Sequence, residues 1–220
     1  MSQVYLVRHG QASFGKPDYD QLSELGYQQA LIAGEYLAKI TTPSIFVSGT
    51  LKRQRQTLVN IKKGFSSEVI ENSTSYEFSS FNEFDHRNII DVVHPNIRVS
   101  HENMFANLST CPNALADFLV LYKTAIDKWM VDDGDFNESF DAFTGRVGAG
   151  LKEIVSIAGP DKSVVLVSSA GPISSAMQYG MDLSPENAFM LSEVMVNTAI
   201  SCLHLDKMSS LKLSYYNNFK

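Results

Sequence analysis

Arg8, His9 and Gly10 directly follow a short apolar run, Val4 to Val7, so a cation and an imidazole stand at the end of a predicted buried strand. Open α/β sheets bind their ligands at the carboxyl ends of the strands, and glycine allows the chain to turn sharply there. A neutral imidazole is a nucleophile near neutral pH, and the planar fork of arginine binds phosphate oxygens in pairs. We therefore expect a site where His9 attacks a phosphoryl group that Arg8 holds.

A second arginine follows a second predicted strand. Residues 44–47 are apolar enough for a buried strand, and a polar helix is predicted from about Leu51 to Lys63. Its first turns present Arg53, which would supply a second guanidinium to the same phosphoryl group. We expect Arg55 to lie on the surface.

The remaining pattern alternates strands and helices. Ser23 is the predicted N-cap of a helix that runs to about Lys39, and residues 163–167 are the most apolar predicted strand, whose end should meet His9. The order predicts an α/β fold with a mostly parallel central sheet and helices on both faces. Further helices are expected over about 113–130 and 138–157 and from about 173, and a closing hairpin over 194–205 and 211–216.

Composition limits the function classes. The chain of 220 residues carries a net charge of −6, which gives no electrostatic footprint for nucleic acid, and no apolar run approaches the roughly 20 residues of a membrane span. Cys111 and Cys202 match no metal or redox spacing, and no signal peptide precedes the first strand. We expect a single cytoplasmic domain over residues 1–220 with no metal and no cofactor; the oligomeric state stays open.

The segment from about residue 66 to 113 reads as irregular. It is rich in Ser, Asn and Pro and contains Phe78, Phe81, Phe84 and Phe105. We expect an insertion that forms a lid over the site, in which these aromatic residues make a small satellite core rather than a substrate pocket.

Three motifs carry a resemblance to a known family. They are Arg8-His9-Gly10, Leu22-Ser23-Glu24-Leu25-Gly26, and a Leu-x-Arg-x-x-Gln-Thr pattern that falls on Leu51, Arg53, Gln56 and Thr57. Together they resemble the histidine phosphatase superfamily, in its phosphoglycerate-mutase-like branch. The resemblance implies that His9 is phosphorylated during turnover, that Arg8 and Arg53 clamp the phosphoryl group, and that the chemistry needs no metal.

The general acid has two candidates. Glu83 stands between aromatic residues in a segment that resembles the family's apolar-x-Glu sequence, and desolvation there would favour the protonated acid. Glu77 is the alternative, and we prefer Glu83. Gln11 and Ser13 follow the nucleophile and either bind the phosphoryl group or serve as turn residues.

One motif departs from the family. After the central strand the family reads Ser-His-Gly-Gly, where the second histidine donates a hydrogen bond to the phosphoryl group, whereas this chain reads Ser168-Ser169-Ala170-Gly171. Ser169 offers a neutral hydroxyl, and the backbone N–H groups of Ala170 and Gly171 add part of the missing positive field. Loss of a donor aimed at the transition state costs about 10²–10³ in rate, so we expect slow turnover.

The other histidines are weak substitutes for the missing one. They are His86, His94, His101 and His204, and each is more simply explained as a packed or solvated residue.

Three functions follow from these residues. The first is a metal-independent phosphatase that hydrolyses a small phosphomonoester through phospho-His9. The second is a phosphate-ligand or protein-binding module of the same fold with little or no activity. The third, a phosphoglycerate-type mutase, ranks lower because the 66–113 segment offers Arg87 and Arg98 but is otherwise acidic and aromatic.

Overall fold

The computed structural model describes residues 2–13, 19–95, 114–132, 134–205 and 211–219. In the described residues, the strands are β1 (Ser2–Arg8), β2 (Ile45–Ser48), β3 (Thr74–Glu77), β4 (Ser163–Ser168), β5 (Ile200–Leu205) and β6 (Leu211–Asn218). The α-helices are α1 (Glu24–Ile40), α2 (Lys52–Lys62), α3 (Ser67–Glu71), α4 (His86–Val93), α5 (Ala114–Met130), α6 (Phe140–Ala158), α7 (Ala170–Met181) and α8 (Pro185–Val194). A 3₁₀ turn spans Ser79–Phe81.

The strands form one six-stranded sheet in the order β3-β2-β4-β1-β5-β6. The first four strands in that order pair in parallel, and β5 and β6 add an antiparallel edge. Strands β1, β2 and β4 are buried along most of their length, which explains their unbroken apolar sequences. The α/β fold with a mostly parallel sheet is therefore confirmed.

Alternation along the strands shows that both faces of the sheet are covered. Tyr5 and Val7 pack with Phe46 and with Leu37 of α1 in one buried cluster. Their neighbours along the strands point to the other face and are equally buried, so helices lie on both faces.

The sheet and helices around β1 belong to the first of two compact units. This unit holds the described residues up to Glu83 and those from Arg146 onward, and the second holds the described residues from Phe84 to Gly145. The second unit has an aromatic core in which Trp129 contacts Phe84, Phe140 and Phe143. Phe84 therefore belongs to a small core, as the sequence suggested.

The expectation that the chain is irregular from residue 66 is wrong for its first part. Helix α3 forms there, and β3 pairs in parallel with β2 as the edge strand of the sheet. β3 has the polar sequence Thr-Ser-Tyr-Glu and is mostly exposed, so it carries no apolar signal. Residues 96–113, with Arg98, His101, Phe105 and Cys111, lie outside the described residues, and the lid stays a prediction.

Helix α7 begins at Ala170, earlier than the expected start near residue 173, and α8 occupies residues that the sequence did not assign to a helix. Ser23 caps α1 as predicted, because its side chain accepts a hydrogen bond from the Gly26 N–H. No helix in the described part of the chain is long and apolar enough to cross a membrane.

Candidate active site

The candidate site lies at the carboxyl ends of β1 and β4. Arg8 and Ser168 are register partners on these adjacent strands, and the His9 N–H donates to the Ser168 carbonyl over 2.8 Å. His9 and Ser169 therefore leave neighbouring strands at the same point. The predicted meeting of the central strand with His9 is confirmed.

The His9 ring is held in one tautomer by two hydrogen bonds. Nδ1 lies 2.8 Å from the Gly10 carbonyl, which can only accept, so Nδ1 carries the proton. Arg53 Nε, which can only donate, lies 3.2 Å from His9 Nε2. The lone pair of His9 is therefore on Nε2, on the side where Arg53 lies.

The ring of His9 is buried, and its electrostatic surroundings are unfavourable to a second proton. Burial, with the positive charges of Arg53 and Arg8, lowers the pKa of His9 to about 3. The imidazole is therefore neutral at physiological pH.

Arg53 is held between His9 and an acidic residue, Asp20. Its Nη1 atom donates to Asp20 Oδ1 over 2.5 Å, and the other carboxylate oxygen of Asp20 accepts from the Lys52 N–H over 2.8 Å. Asp20 thus fixes both the first turn of α2 and the guanidinium that touches His9. Sequence reasoning missed Asp20, although it stands two residues before the Leu22-Ser23 motif.

Arg8 donates from Nη1 to the Met195 carbonyl, while its Nε is buried and has no hydrogen-bond partner among the described residues. Burial lowers the pKa of Arg8, and the nearby charge of Glu83 opposes this effect. A buried guanidinium N–H without an acceptor is costly unless an anion meets it. The Nε–H of Arg8 is therefore open to an anion, and the role of Arg8 as a phosphate clamp stays a prediction.

The loop after β1 is tied to α1 and α2. The Gly10 N–H donates to Thr57 Oγ1 over 3.0 Å, which explains the Thr of the third motif. A Cβ on Gly10 would lie 2.4 Å from the Gly26 carbonyl oxygen, so both glycines permit a close approach of this loop to α1. This packing, rather than an unusual φ, explains why glycine stands at position 10.

The two candidate acids are placed differently. Glu77 forms an ion pair with Arg55, 2.7 Å away, and each side chain is about half exposed. Glu83 Oε2 accepts from the Gly171 N–H over 3.2 Å at the start of α7, next to the end of β4. Glu83 lies at the site and Glu77 on the surface, and the surface position expected for Arg55 is confirmed.

The segment that carries Glu83 is braced from both sides. Asn82 Oδ1 accepts from the Thr50 N–H over 2.7 Å, and Arg146 Nη1 donates to the Asn82 carbonyl over 2.9 Å. These contacts fix the backbone next to Glu83, and neither could be predicted from the local sequence.

Gln11 and Ser13 have their side chains bonded within the loop. Gln11 Oε1 accepts from the Ser23 hydroxyl over 2.8 Å, and the buried Ser13 hydroxyl donates to the Leu22 carbonyl over 3.0 Å. A contact of either side chain with phosphate stays a prediction and would require these bonds to change.

Ser169, where the family has a histidine, is fully buried, and its Oγ accepts a hydrogen bond from Gln54 Nε2 over 2.9 Å. Ala170 is the first residue of α7, whereas the Gly171 N–H is already used by Glu83. Among the histidines, His204 pairs with Gln3 at the far end of β1 from His9. His86 and His94 belong to the second compact unit, and His101 lies outside the described residues.

Among the described residues, no group of three or more His, Cys, Asp or Glu side chains is arranged to hold a metal ion. Cys202 is buried, and burial raises its pKa to about 12, so its thiol is not a nucleophile near neutral pH.

Comparison with solved structures shows that other proteins share the fold of this chain. Phosphoserine phosphatase from Entamoeba histolytica, in complex with 3-phosphoglyceric acid, aligns with a TM-score of 0.67 and 18% identity over 100% of this chain and 98% of that one. YhfR from Bacillus stearothermophilus aligns with a TM-score of 0.70 and 14% identity over 100% and 98%. A mycobacterial glucosyl-3-phosphoglycerate phosphatase in complex with VO3 aligns with a TM-score of 0.62 and 22% identity over 98% of each chain.

Comparison with curated proteins gives no significant match. The sequence model of one family, the histidine phosphatase superfamily (branch 1), matches residues 4–96 and 115–218, which includes every motif described above. The resemblance noted in the sequence is therefore confirmed, and the chain belongs to the histidine phosphatase superfamily.

Proposed function

We propose that this protein is a phosphatase that hydrolyses a small phosphomonoester through a phosphohistidine at His9. The observation that carries the proposal is the tautomer of His9. Its Nε2 lone pair faces the guanidinium of Arg53, while Nδ1 is held by the Gly10 carbonyl. A neutral, oriented imidazole next to a fixed cation is what in-line attack on a phosphoryl group requires.

In the first step the Nε2 lone pair attacks phosphorus and the bond from phosphorus to the ester oxygen breaks. Arg53 Nε–H, which donates to Nε2 before substrate binds, turns to a phosphoryl oxygen, because the same lone pair must form the new bond. Arg8 and Arg53 neutralise the phosphoryl charge. Glu83 gives its proton to the leaving oxygen, which departs as an alcohol.

In the second step water attacks the phosphohistidine. The Glu83 carboxylate takes a proton from the water as the oxygen–phosphorus bond forms and the nitrogen–phosphorus bond breaks. Inorganic phosphate leaves, and His9 returns to its neutral form with the proton on Nδ1. Each group is then in its starting state.

The substrate class follows from charge and size. Arg8 and Arg53 provide two guanidinium groups for one phosphoryl dianion, while the chain as a whole carries a charge of −6. A compact phosphomonoester is favoured over a polyanion such as nucleic acid. The similar phosphatases in complex with 3-phosphoglyceric acid or VO3 support the same class.

A second candidate function is a phosphate-binding module with little turnover. The observation that favours it is Ser169, a neutral residue in place of the family's second histidine. Binding requires only the arginines, whereas turnover also requires stabilisation of the charge that develops during transfer.

Trapping of the intermediate tests the proposal. The purified protein is mixed with p-nitrophenyl phosphate, quenched rapidly and examined by mass spectrometry for acid-labile phosphate on His9. We expect His9-linked phosphate and release of p-nitrophenol, both abolished in His9→Ala. Phosphate binding without p-nitrophenol release above the His9→Ala control would favour the binding module.

A further inference from the structure

Gln54 is a fully buried polar residue next to Arg53 in the first turn of α2. Its Nε2 group donates to Ser169 Oγ over 2.9 Å and to the Phe81 carbonyl over 3.0 Å. Both protons of the amide are therefore used. One of them goes to the residue that stands where the family's second histidine would be.

The bond from Gln54 decides what the Ser169 hydroxyl can do. A serine hydroxyl has one proton to donate, and its oxygen can also accept. Since the oxygen accepts from Gln54, its proton points elsewhere, and no acceptor for it is found among the residues that the structure describes. Because Ser169 is also fully buried, an anion bound at the end of β4 would supply the acceptor that this proton lacks there.

The Phe81 carbonyl does not compete for that proton. It already accepts from Gln54 Nε2 and from Ser168 Oγ, the latter over 2.7 Å. The Ser168 hydroxyl is therefore already bonded, and the proton of Ser169 is the one left without an acceptor among the described residues at this end of β4, beside the register partner of Arg8.

We propose that Gln54 is a positioning residue that aims the Ser169 hydroxyl at the phosphoryl group, so that the Gln54–Ser169 pair takes over the donor function of the family's second histidine. This inference rests on the proposed function. Arg53 and Gln54, adjacent on α2, then serve the same anion, Arg53 beside His9 and Gln54 through Ser169.

A double-mutant cycle tests the pair. Gln54→Met keeps the length of the side chain but removes its donors, and Ser169→Ala removes the hydroxyl. Because the donor is neutral, we expect each single variant to lose about ten- to a hundredfold in His9-dependent kcat/KM on p-nitrophenyl phosphate. The double variant should lose no more than the worse single variant, because the two residues act as one unit.

Asn60→Leu is the matched control. Asn60 is also a buried amide on α2, but it bonds to the Gln56 carbonyl and to Lys63 rather than to the site. Asn60→Leu should lower the thermal midpoint of unfolding, because a buried hydrogen bond is lost. It should change kcat/KM by no more than about twofold, because Asn60 is not bonded to the site. Two results would overturn the inference. In one, the kcat/KM losses of Gln54→Met and Ser169→Ala multiply in the double variant; in the other, Gln54→Met has the kinetics of the wild type.

Calorimetric titration with orthovanadate separates this inference from the proposed function. If no variant shows His9-dependent turnover, the phosphatase proposal fails, yet non-additive losses of vanadate affinity in the same cycle would still support the pair. If turnover depends on His9 but neither kcat/KM nor vanadate affinity responds to Gln54→Met, only the pair is refuted.

Discussion

Replacing Arg53 by alanine tests the core of the site, and the chain supplies its own control two residues away. The Arg53 side chain is 12% exposed and bonds to His9 and Asp20. The Arg55 side chain is 50% exposed and pairs with Glu77 at the surface. Both substitutions remove one arginine from the same helix and change the net charge equally. A difference in kcat/KM between the two variants therefore depends on the position of the arginine and not on the lost charge.

The expected loss can be worked out from the contacts. A guanidinium on a phosphoryl group makes two charge-assisted hydrogen bonds of about 1.5–3 kcal/mol each. Their removal from the transition state costs about 3–6 kcal/mol, or roughly 10²–10⁴ in kcat/KM. Arg55→Ala removes only an exposed ion pair of about 0–1 kcal/mol in stability and should leave kcat/KM unchanged.

Arg53→Ala should also change the titration of His9. After burial, the charge of Arg53 is the largest cause that lowers the pKa of His9 to about 3. Without that charge the pKa of His9 rises, and an NMR titration of the imidazole follows the change directly. Arg55→Ala should leave the His9 titration as it is in the wild type.

The assay is steady-state hydrolysis of p-nitrophenyl phosphate by the two variants and the wild type under the same conditions. Equal losses in Arg53→Ala and Arg55→Ala would refute the assignment of Arg53 as a phosphate clamp. So would an Arg53→Ala variant that loses activity while the His9 titration stays unchanged, because the two side chains would then not be neighbours in solution.

Three more predictions follow from the same geometry. The pKa of His9 is lowered to about 3 in the folded chain but is about 6.5 in the unfolded chain, so between these values only the unfolded state binds the proton and the wild type loses stability as the pH falls. In urea unfolding, His9→Gln should therefore lose less stability than the wild type over this range, by up to about 1.4 kcal/mol per pH unit. Equal slopes for the two proteins would contradict this prediction. Asp20→Asn should tighten phosphate binding about two- to fivefold in calorimetry, because the carboxylate competes with the anion for Arg53, and weaker binding would show that Asp20 serves mainly to position the guanidinium. Glu83→Gln should lower kcat/KM for an alkyl phosphate by about 10²–10⁴ and for p-nitrophenyl phosphate much less, since only the poor leaving group needs a proton in the first step, whereas Glu77→Gln should affect neither; the opposite pattern would make Glu77 the acid.

Much of the fold could be predicted because a buried strand has a run of apolar residues that is visible in the sequence. Strands β1 and β4 are buried along nearly their whole length, so their apolar runs identified them, and Ser23 marked the start of α1. β3 could not be found in this way, because an exposed edge strand needs no apolar side chains and is fixed by its pairing with β2.

The same distinction explains the site. His9 and Arg53 belong to local motifs with a chemical signature, and the structure brings them within 3.2 Å. Gln54 carries no such signature, since its partner Ser169 is 115 positions away in the sequence. From the sequence, an amide in a polar helix is expected to be exposed to solvent. Only the structure shows that the Gln54 side chain is buried.

The spacing of the third motif follows from the way α2 meets the sheet. Consecutive residues of a helix point about 100° apart, so Arg53 and Gln54 can reach the ends of two different strands. β1 and β4 are neighbours, about 4.8 Å apart, which brings His9 and Ser169 within reach of one helix turn. Thr57, one turn after Arg53, donates to the Arg53 carbonyl and accepts from the Gly10 N–H, so the helix that carries Arg53 also fixes the loop next to His9. A change in the spacing between Arg53 and Thr57 would therefore separate the guanidinium from the imidazole even if Arg53 and His9 were both kept.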